Sequence, residues 1–249
     1  EDSDIIGGVT SSGEYSGLSA IALLYPEQFA VCNLIAAPGW SHSPAVYNAM
    51  LTISQKINGH WDAFVVADLP LVDSTAQAVD TITKAIAWKK ANAFTGERSK
   101  VYWPQGVDNL GNVYHLSTMA VVELMRADFS HNSVPMETCG NKAIPIIKQY
   151  FGANATNRGF SQQEGKELTQ NGISTAVAWG GELISSYGCD HMTADAEFLL
   201  NKAKYKAATG REQRRDADVL CYQIRQSFKP GEITPEEANR IGYETAMRW

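Results

Sequence analysis

The stretch "CNLIAAPGWSHSPAVYNAML" (residues 32–51) decides how this chain is read. An apolar run stops at Pro38-Gly39, a serine-rich turn follows, and apolar-periodic positions begin at Pro44. A short apolar run closed by Pro-Gly suits a buried strand. Ser43 is placed to accept from the free amides of a helix start, and Pro44 fits the first helical turn because its missing N–H costs nothing there. Val46, Met50, Ile53 and Ile57 then recur at helical spacing, and Asn58-Gly59 supplies a stop. The stretch therefore reads as a strand feeding a helix, the junction where many α/β enzymes bind ligands. It is either a site or a joint.

The same grammar extends in both directions. The strand spans 29–38, and "WDAFVVADLP" (61–70) is a second apolar strand. Thr75 opens a helix that carries Val79, Ile82, Ile86 and Trp88 and closes around Asn92. Residues 99–107 form a third strand, 108–112 a turn and 113–129 a helix. A helix over 161–172 leads into a strand over 173–179. The strands are continuous apolar runs rather than alternating ones, which fits burial on both faces. The predicted fold class is α/β: a three-layer, largely parallel sheet with helices on both faces, followed by a small, mostly helical segment.

Charge density marks a seam. Residues 1–180 hold 27 charged side chains, whereas the 69 residues after them hold 21. Two units follow from this shift, 1–180 and 181–249, with the boundary near Gly180-Gly181. The net charge of −6 argues against a dominant nucleic-acid surface without excluding a local one. No apolar run approaches a membrane span, and "EDSDIIGG" lacks the pattern of a signal peptide. The absent initiator Met suggests a trimmed or partial chain. Cys32, Cys139, Cys189 and Cys221 form no CxxC pair, so they read as reduced thiols of a cytosolic protein rather than zinc ligands.

Catalytic signals are sparse. His42, His60, His115, His131 and His191 form none of the pairings of a helical metal site. Ser41, His42 and Ser43 lie in the opening turn and Asp68 ends the next strand, so a hydrolase could gather serine, histidine and aspartate there. No G-x-S-x-G elbow supports it, and a turn histidine beside a helix cap is the commoner explanation. "GGVTSSGEYSG" (7–17) lacks a phosphate-loop ending and reads as a loop or hairpin. No catalytic, cofactor-binding or metal residue is expected in the first unit, and no cofactor.

Two family resemblances bear on function. "DIIGGV", "SGLSAI", "NLIAAPGWSHSPAV", "INGHWDAFVVADLP", "VYWP", "VYHLST", "NKAIP" and "QEGKELTQNGISTAVAWGG", in that order over about residues 1–180, resemble contractile phage tail sheath proteins. That resemblance implies a subtilisin-like α/β domain without a protease triad. It also implies a structural subunit of a virion tail or its host-cell cytoplasm, with other sheath copies and an inner tail tube as partners. The C-terminal portion of that family is missing, which puts polymerisation in doubt. "GELISSYGCDHMTADAEF" (181–198) and "REQRRDADVLCYQIRQSFKPGEITPEEANRIGYETA" (211–246) resemble the N-terminal region of mobilisation relaxases. In "ITPEEANRIG", Thr234 caps a helix with Glu237 three residues on.

The relaxase resemblance implies a tyrosine nucleophile and a metal held by a histidine cluster. None of Tyr187, Tyr205, Tyr222 and Tyr243 occupies a matching position, and His191 stands alone. The chain is therefore expected not to be an enzyme: a sheath-type assembly unit joined to a truncated relaxase remnant. The alternative is a mobilisation fragment acting on single-stranded DNA. Lys204, Arg211, Arg214 and Arg215, in a run with Lys202 and Lys206, are its candidate phosphate contacts. Their interleaving with Glu212, Asp216 and Asp218 also suits a solvated, salt-bridged helix face.

Overall fold

The structure, a computed structural model, describes residues 1–132, 142–179 and 182–187, with isolated positions between 205 and 244. Helix α1 (Asp2–Ile6) leads into the hairpin of β1 (Gly8–Val9) and β2 (Tyr15–Ser16), paired Gly8 to Ser16. Gly7 is required at the crossing: at φ 62°, a Cβ there would lie 2.0 Å from the Ser16 carbonyl oxygen. A 3-10 turn (Gly17–Leu23) and α2 (Leu24–Gln28) follow. Phe29 closes α2 in the left-handed region, φ 54°, donating its N–H to the Tyr25 carbonyl. Left-handed backbone costs a bulky residue roughly 1–2 kcal/mol. Because residue 29 ends a helix, the expected strand over 29–38 shrinks to β3 (Leu34–Ala36).

Helix α3 (Pro44–Ile53) starts where Ser43 and Pro44 place it. Ser43 does not cap it through its side chain; its hydroxyl donates instead to the Asp2 carboxylate. The helix stops before Ile57, whose N–H bonds the Trp61 carbonyl in a turn with Lys56 and Asn58 at positive φ. Strand β4 (Phe64–Asp68) is buried at all five positions. Helix α4 (Ile82–Ala91) is capped by Thr81 rather than opened by Thr75. The Asp73 carboxylate captures the N–H groups of Thr75 and Gln77 and the Thr75 hydroxyl, fixing a turn where a helix was expected.

The strand expected over 99–107 is two, β5 (Ser99–Tyr102) and β6 (Gln105–Val107), interrupted at Pro104, which has no N–H for a ladder. Strand β7 (Val113–His115) precedes α5 (Leu116–Ser130), so His115 is the residue before the helix and not part of it. Strands β8 (Lys142–Ala143) and β9 (Lys148–Tyr150) lead to α6 (Gln162–Gln170). Ser161 and Glu164 form a reciprocal capping box on α6, and the Arg158 guanidinium beside Glu164 holds that carboxyl at about 2. Strands β10 (Thr175–Trp179) and β11 (Glu182–Tyr187) complete the described elements. Further on, the Glu237 N–H donates to the Thr234 hydroxyl at 3.2 Å, the bond expected of that cap.

Pairing is mixed rather than largely parallel. Strands β3, β4 and β5 are parallel, with Ile35 opposite Val65 and Ala67 opposite Val101. The Trp103 N–H donates to the Ser174 carbonyl, and the Ser174 N–H to that of Val101, so β10 joins β5 in the same sense. The other ladders are antiparallel: β1–β2, β6–β7 and β10–β11 are joined by short connections that return the chain directly, whereas β6–β9 and β8–β11 pair across longer stretches of chain. The β10–β11 ladder crosses position 180, with Trp179 opposite Glu182.

Adjacent residues of a strand feed opposite faces. Val65 and Ala67 join Val46, Tyr47 and Met50 of α3, Ala85 of α4 and Leu168 of α6 in one core. Val66 joins Leu116 and Ala120 of α5 in another. Strand β10 divides likewise: Val177 belongs to the first core and Ala176 to the second.

Candidate functional site

The opening turn, the carboxyl ends of β4 and β7 and the start of α5 meet at Asp68. The chain leaves β3 at Ala36 and turns through Gly39 at φ 81°. The Trp40 and Ser41 N–H groups both donate to the Ala37 carbonyl, at 3.0 and 2.8 Å. This turn drives Ser41 fully inside, where its hydroxyl oxygen accepts the Asp68 N–H at 3.0 Å. The Asp68 side chain, 5% exposed, points at the start of α5. It accepts the Ser117 N–H at 3.0 Å and the Ser117 hydroxyl at 2.5 Å. A carboxylate there satisfies one of the free amides of the first helical turn and opposes the positive end of the helix dipole.

His115 adds a titratable imidazole. Its Nδ1 lies 3.5 Å from Asp68 Oδ2, and the carboxylate raises the imidazole's pKa above its ordinary value. His42 moves the other way: burial lowers its pKa, and the neighbouring His115 lowers it further. The Gln105 amide nitrogen lies 3.4 Å from both ring nitrogens of His115. His42, His115 and Gln105 line an open cleft of about 320 Å³ with Gly39 and Leu69–Val72.

The geometry corrects the hydrolase possibility. Ser41 meets Asp68, but through a backbone N–H rather than a histidine. Ser43 is bonded to Asp2, and among the described residues the histidine against the Asp68 carboxylate is His115, not His42. Among the described residues the hydroxyl on that carboxylate belongs to Ser117, which donates its hydrogen bond to it. A serine, histidine and aspartate array needs the histidine to take the serine proton, and among the described residues neither Ser41 nor Ser43 hydrogen-bonds one. Sequence reasoning missed His115, Ser117 and Gln105; the signal was "YHLST", where a histidine precedes a helix that starts with Leu-Ser.

Other expected residues fall elsewhere. Cys32 is a half-buried free thiol whose pKa burial raises. Lys204, Arg211, Arg214 and Arg215 lie outside the described residues, as do Cys139, Cys189, Cys221, Tyr222 and His191. Tyr205 and Tyr243 are exposed. Among the described residues no group of three or more His, Cys, Asp or Glu side chains is placed to hold a metal ion. Among them, too, no helix is long and apolar enough to cross a membrane.

Comparison with protein families finds a match over residues 175–249. The matching family is the relaxases, described as MobA/VirD2-like, nuclease domain. The match covers that segment and not the whole chain, and no family match supports a tail sheath over 1–180. No curated protein matches the chain. The expectation that the chain is not an enzyme is overturned, because the matched nuclease domain belongs to a family that cleaves DNA. The match begins at β10, whose Thr175, Ala176 and Val177 are buried in the α/β sheet.

Proposed function

We propose that this chain serves DNA mobilisation, with residues 175–249 acting on single-stranded DNA as a relaxase-type nuclease segment. The family match over those residues is the observation that carries this reading. The basic run from Lys202 to Arg215 supplies charge suited to phosphate contacts. Each neutralised phosphate releases counterions, so affinity falls with salt. Four contacts, from Lys204, Arg211, Arg214 and Arg215, predict a slope of log affinity against log salt of about −3 on single strands. Fluorescence anisotropy with a labelled single strand between low and physiological salt measures it. Alanine at all four positions is expected to flatten the slope; undetectable binding by the intact chain refutes the reading.

The α/β portion favours a second reading, as a three-layer, sheath-type assembly unit in a virion tail or the host cytoplasm, contacting other copies and an inner tube. The observation behind it is that Asp68 bonds Ser41 through its N–H and Ser117 through its carboxylate, tying the opening turn to β4 and α5. That turn works as a joint. Electron microscopy of concentrated protein is expected to show helical or tubular assemblies; monomers at every salt concentration would remove this role.

A further inference from the structure

We infer that the cleft lined by His42, Gln105 and His115 binds a small organic oxyanion, a role beyond the mobilisation and assembly readings above. The cleft opens where the parallel strands β3 and β4 end, between Gly39 of the opening turn and the Leu69–Val72 segment that leaves β4. Parallel sheets commonly hold ligands at that end. Its volume of about 320 Å³ lies within the range of small-molecule sites, roughly 300–1,000 Å³. Leu69, Pro70, Leu71 and Val72 give it apolar surface, and the two histidines and Gln105 give it nitrogen groups. Among the described residues no carboxylate lines it. The Asp68 carboxylate sits on the far side of the His115 ring, 5% exposed and already bonded to the Ser117 N–H and hydroxyl. His115 turns Nδ1 to that carboxylate and Nε2 to the opening turn, where a Cβ built on Gly39 would lie 3.8 Å away. A carboxylate on one imidazole nitrogen fixes the ring and leaves the other nitrogen for a ligand.

His42 selects the sign of the ligand. Among the described residues its ring has no hydrogen-bond partner. Burial and the facing His115 of β7 oppose its protonation, while Asp2 of α1 and Asp68 of β4 favour it without prevailing. Asp2 is engaged by the Ser43 hydroxyl. An anion in the cleft would meet both imidazoles and turn their mutual repulsion into a shared attraction, so its binding draws a proton onto His42. Protonated His42 and His115 then donate to the oxyanion, and the Gln105 amide can offer further N–H groups. A cation would compete with the proton that Asp68 favours on His115. The Leu69–Val72 surface suits an apolar tail behind the charged head, which makes an organic acid a better fit than a bare inorganic anion.

The test follows the histidine resonances of the intact chain by NMR between about pH 5 and 8, at constant ionic strength, with butanesulfonate, sulfate or oligothymidylate added. Butanesulfonate and sulfate do not titrate in that range, so any pH dependence belongs to the protein. Butanesulfonate is expected to move the His42 midpoint up by about one pH unit, which equals binding about tenfold tighter at the acid end than at the alkaline end. His115 should move in the same direction, and His60, which is exposed and lines no part of the cleft, should stay in place. Sulfate should give the same shifts only at higher concentration. His42→Asn, checked for folding by circular dichroism, is expected to abolish the pH dependence of binding. No shift at His42, or an equal shift at His42 and His60, refutes the site without touching the mobilisation reading. Sulfate binding as tightly as butanesulfonate would overturn the organic ligand. Oligothymidylate shifting His42 as butanesulfonate does would assign the cleft to DNA phosphates and overturn the small-molecule site.

Discussion

Asp68→Ala is expected to lower stability by about 3 kcal/mol, because it strands a buried hydrogen-bonded network instead of deleting one contact. The alanine leaves the Ser117 N–H and hydroxyl at the start of α5 without their acceptor, and His115 without its counter-charge. For a chain of this size that corresponds to a melting temperature lower by about 10 °C, measurable by circular dichroism. A drop under about 2 °C would show that the carboxylate does not hold α5 to β4. The pH dependence carries a second signature. The pKa of His115 is raised in the folded state, so its contribution is full below the unfolded value of about 6.5 and lost as pH rises through the folded value. The lowered pKa of His42 has the opposite sign: its contribution is present above about 6.5 and lost as pH falls through the folded value. Asp68→Asn removes the first effect by removing the negative charge. The loss of stability as pH rises above about 6.5 should therefore shrink, while the fall on the acid side remains.

Trp103→Ala is expected to cost about 4 kcal/mol, from lost transfer energy and the cavity left behind. Trp103 is fully buried between Phe151 and Phe160, with ring centroids 5.4 and 5.9 Å away. Its backbone N–H also ties β5 to Ser174 before β10. Trp103→Phe separates packing from polarity. The indole Nε1 is buried with no hydrogen-bond partner, a liability of about 1–3 kcal/mol that phenylalanine removes. The smaller ring reintroduces a cavity penalty, so the phenylalanine variant should stay within about 1.5 kcal/mol of the parent. Urea midpoints distinguish the two; equal losses would mean that shape alone matters at this position.

What the sequence made legible was local, and what it hid was long-range. Ser43-Pro44 announced the start of α3 because proline tolerates that position whatever surrounds it. Thr75 and Thr81 are equally good caps by type, and only the carboxylate of Asp73 decides that Thr75 makes a turn. The strand at 29–38 looked continuous because apolar residues mark burial and strand alike; nothing in Phe29 itself declares a helix end. At the site, Ser41 and Asp68 could be placed together as neighbouring strand ends. Ser117 is 49 positions from Asp68, and no periodicity links them. His115 was hidden by its neighbours, since a helical pattern starting at 113 absorbs the residue that in fact precedes the helix.

Strand β10 gives the joint between the two parts of the chain a mechanical meaning. Its alternate residues plug separate apolar interiors, one above the sheet and one below, so it works as a rivet through both. A subclone that begins at residue 175 would carry the rivet away, and one that ends at 174 would lack it. Neither half should be expressed alone as a stand-in for the whole, and heating the intact chain should melt the layers around this strand in a single step.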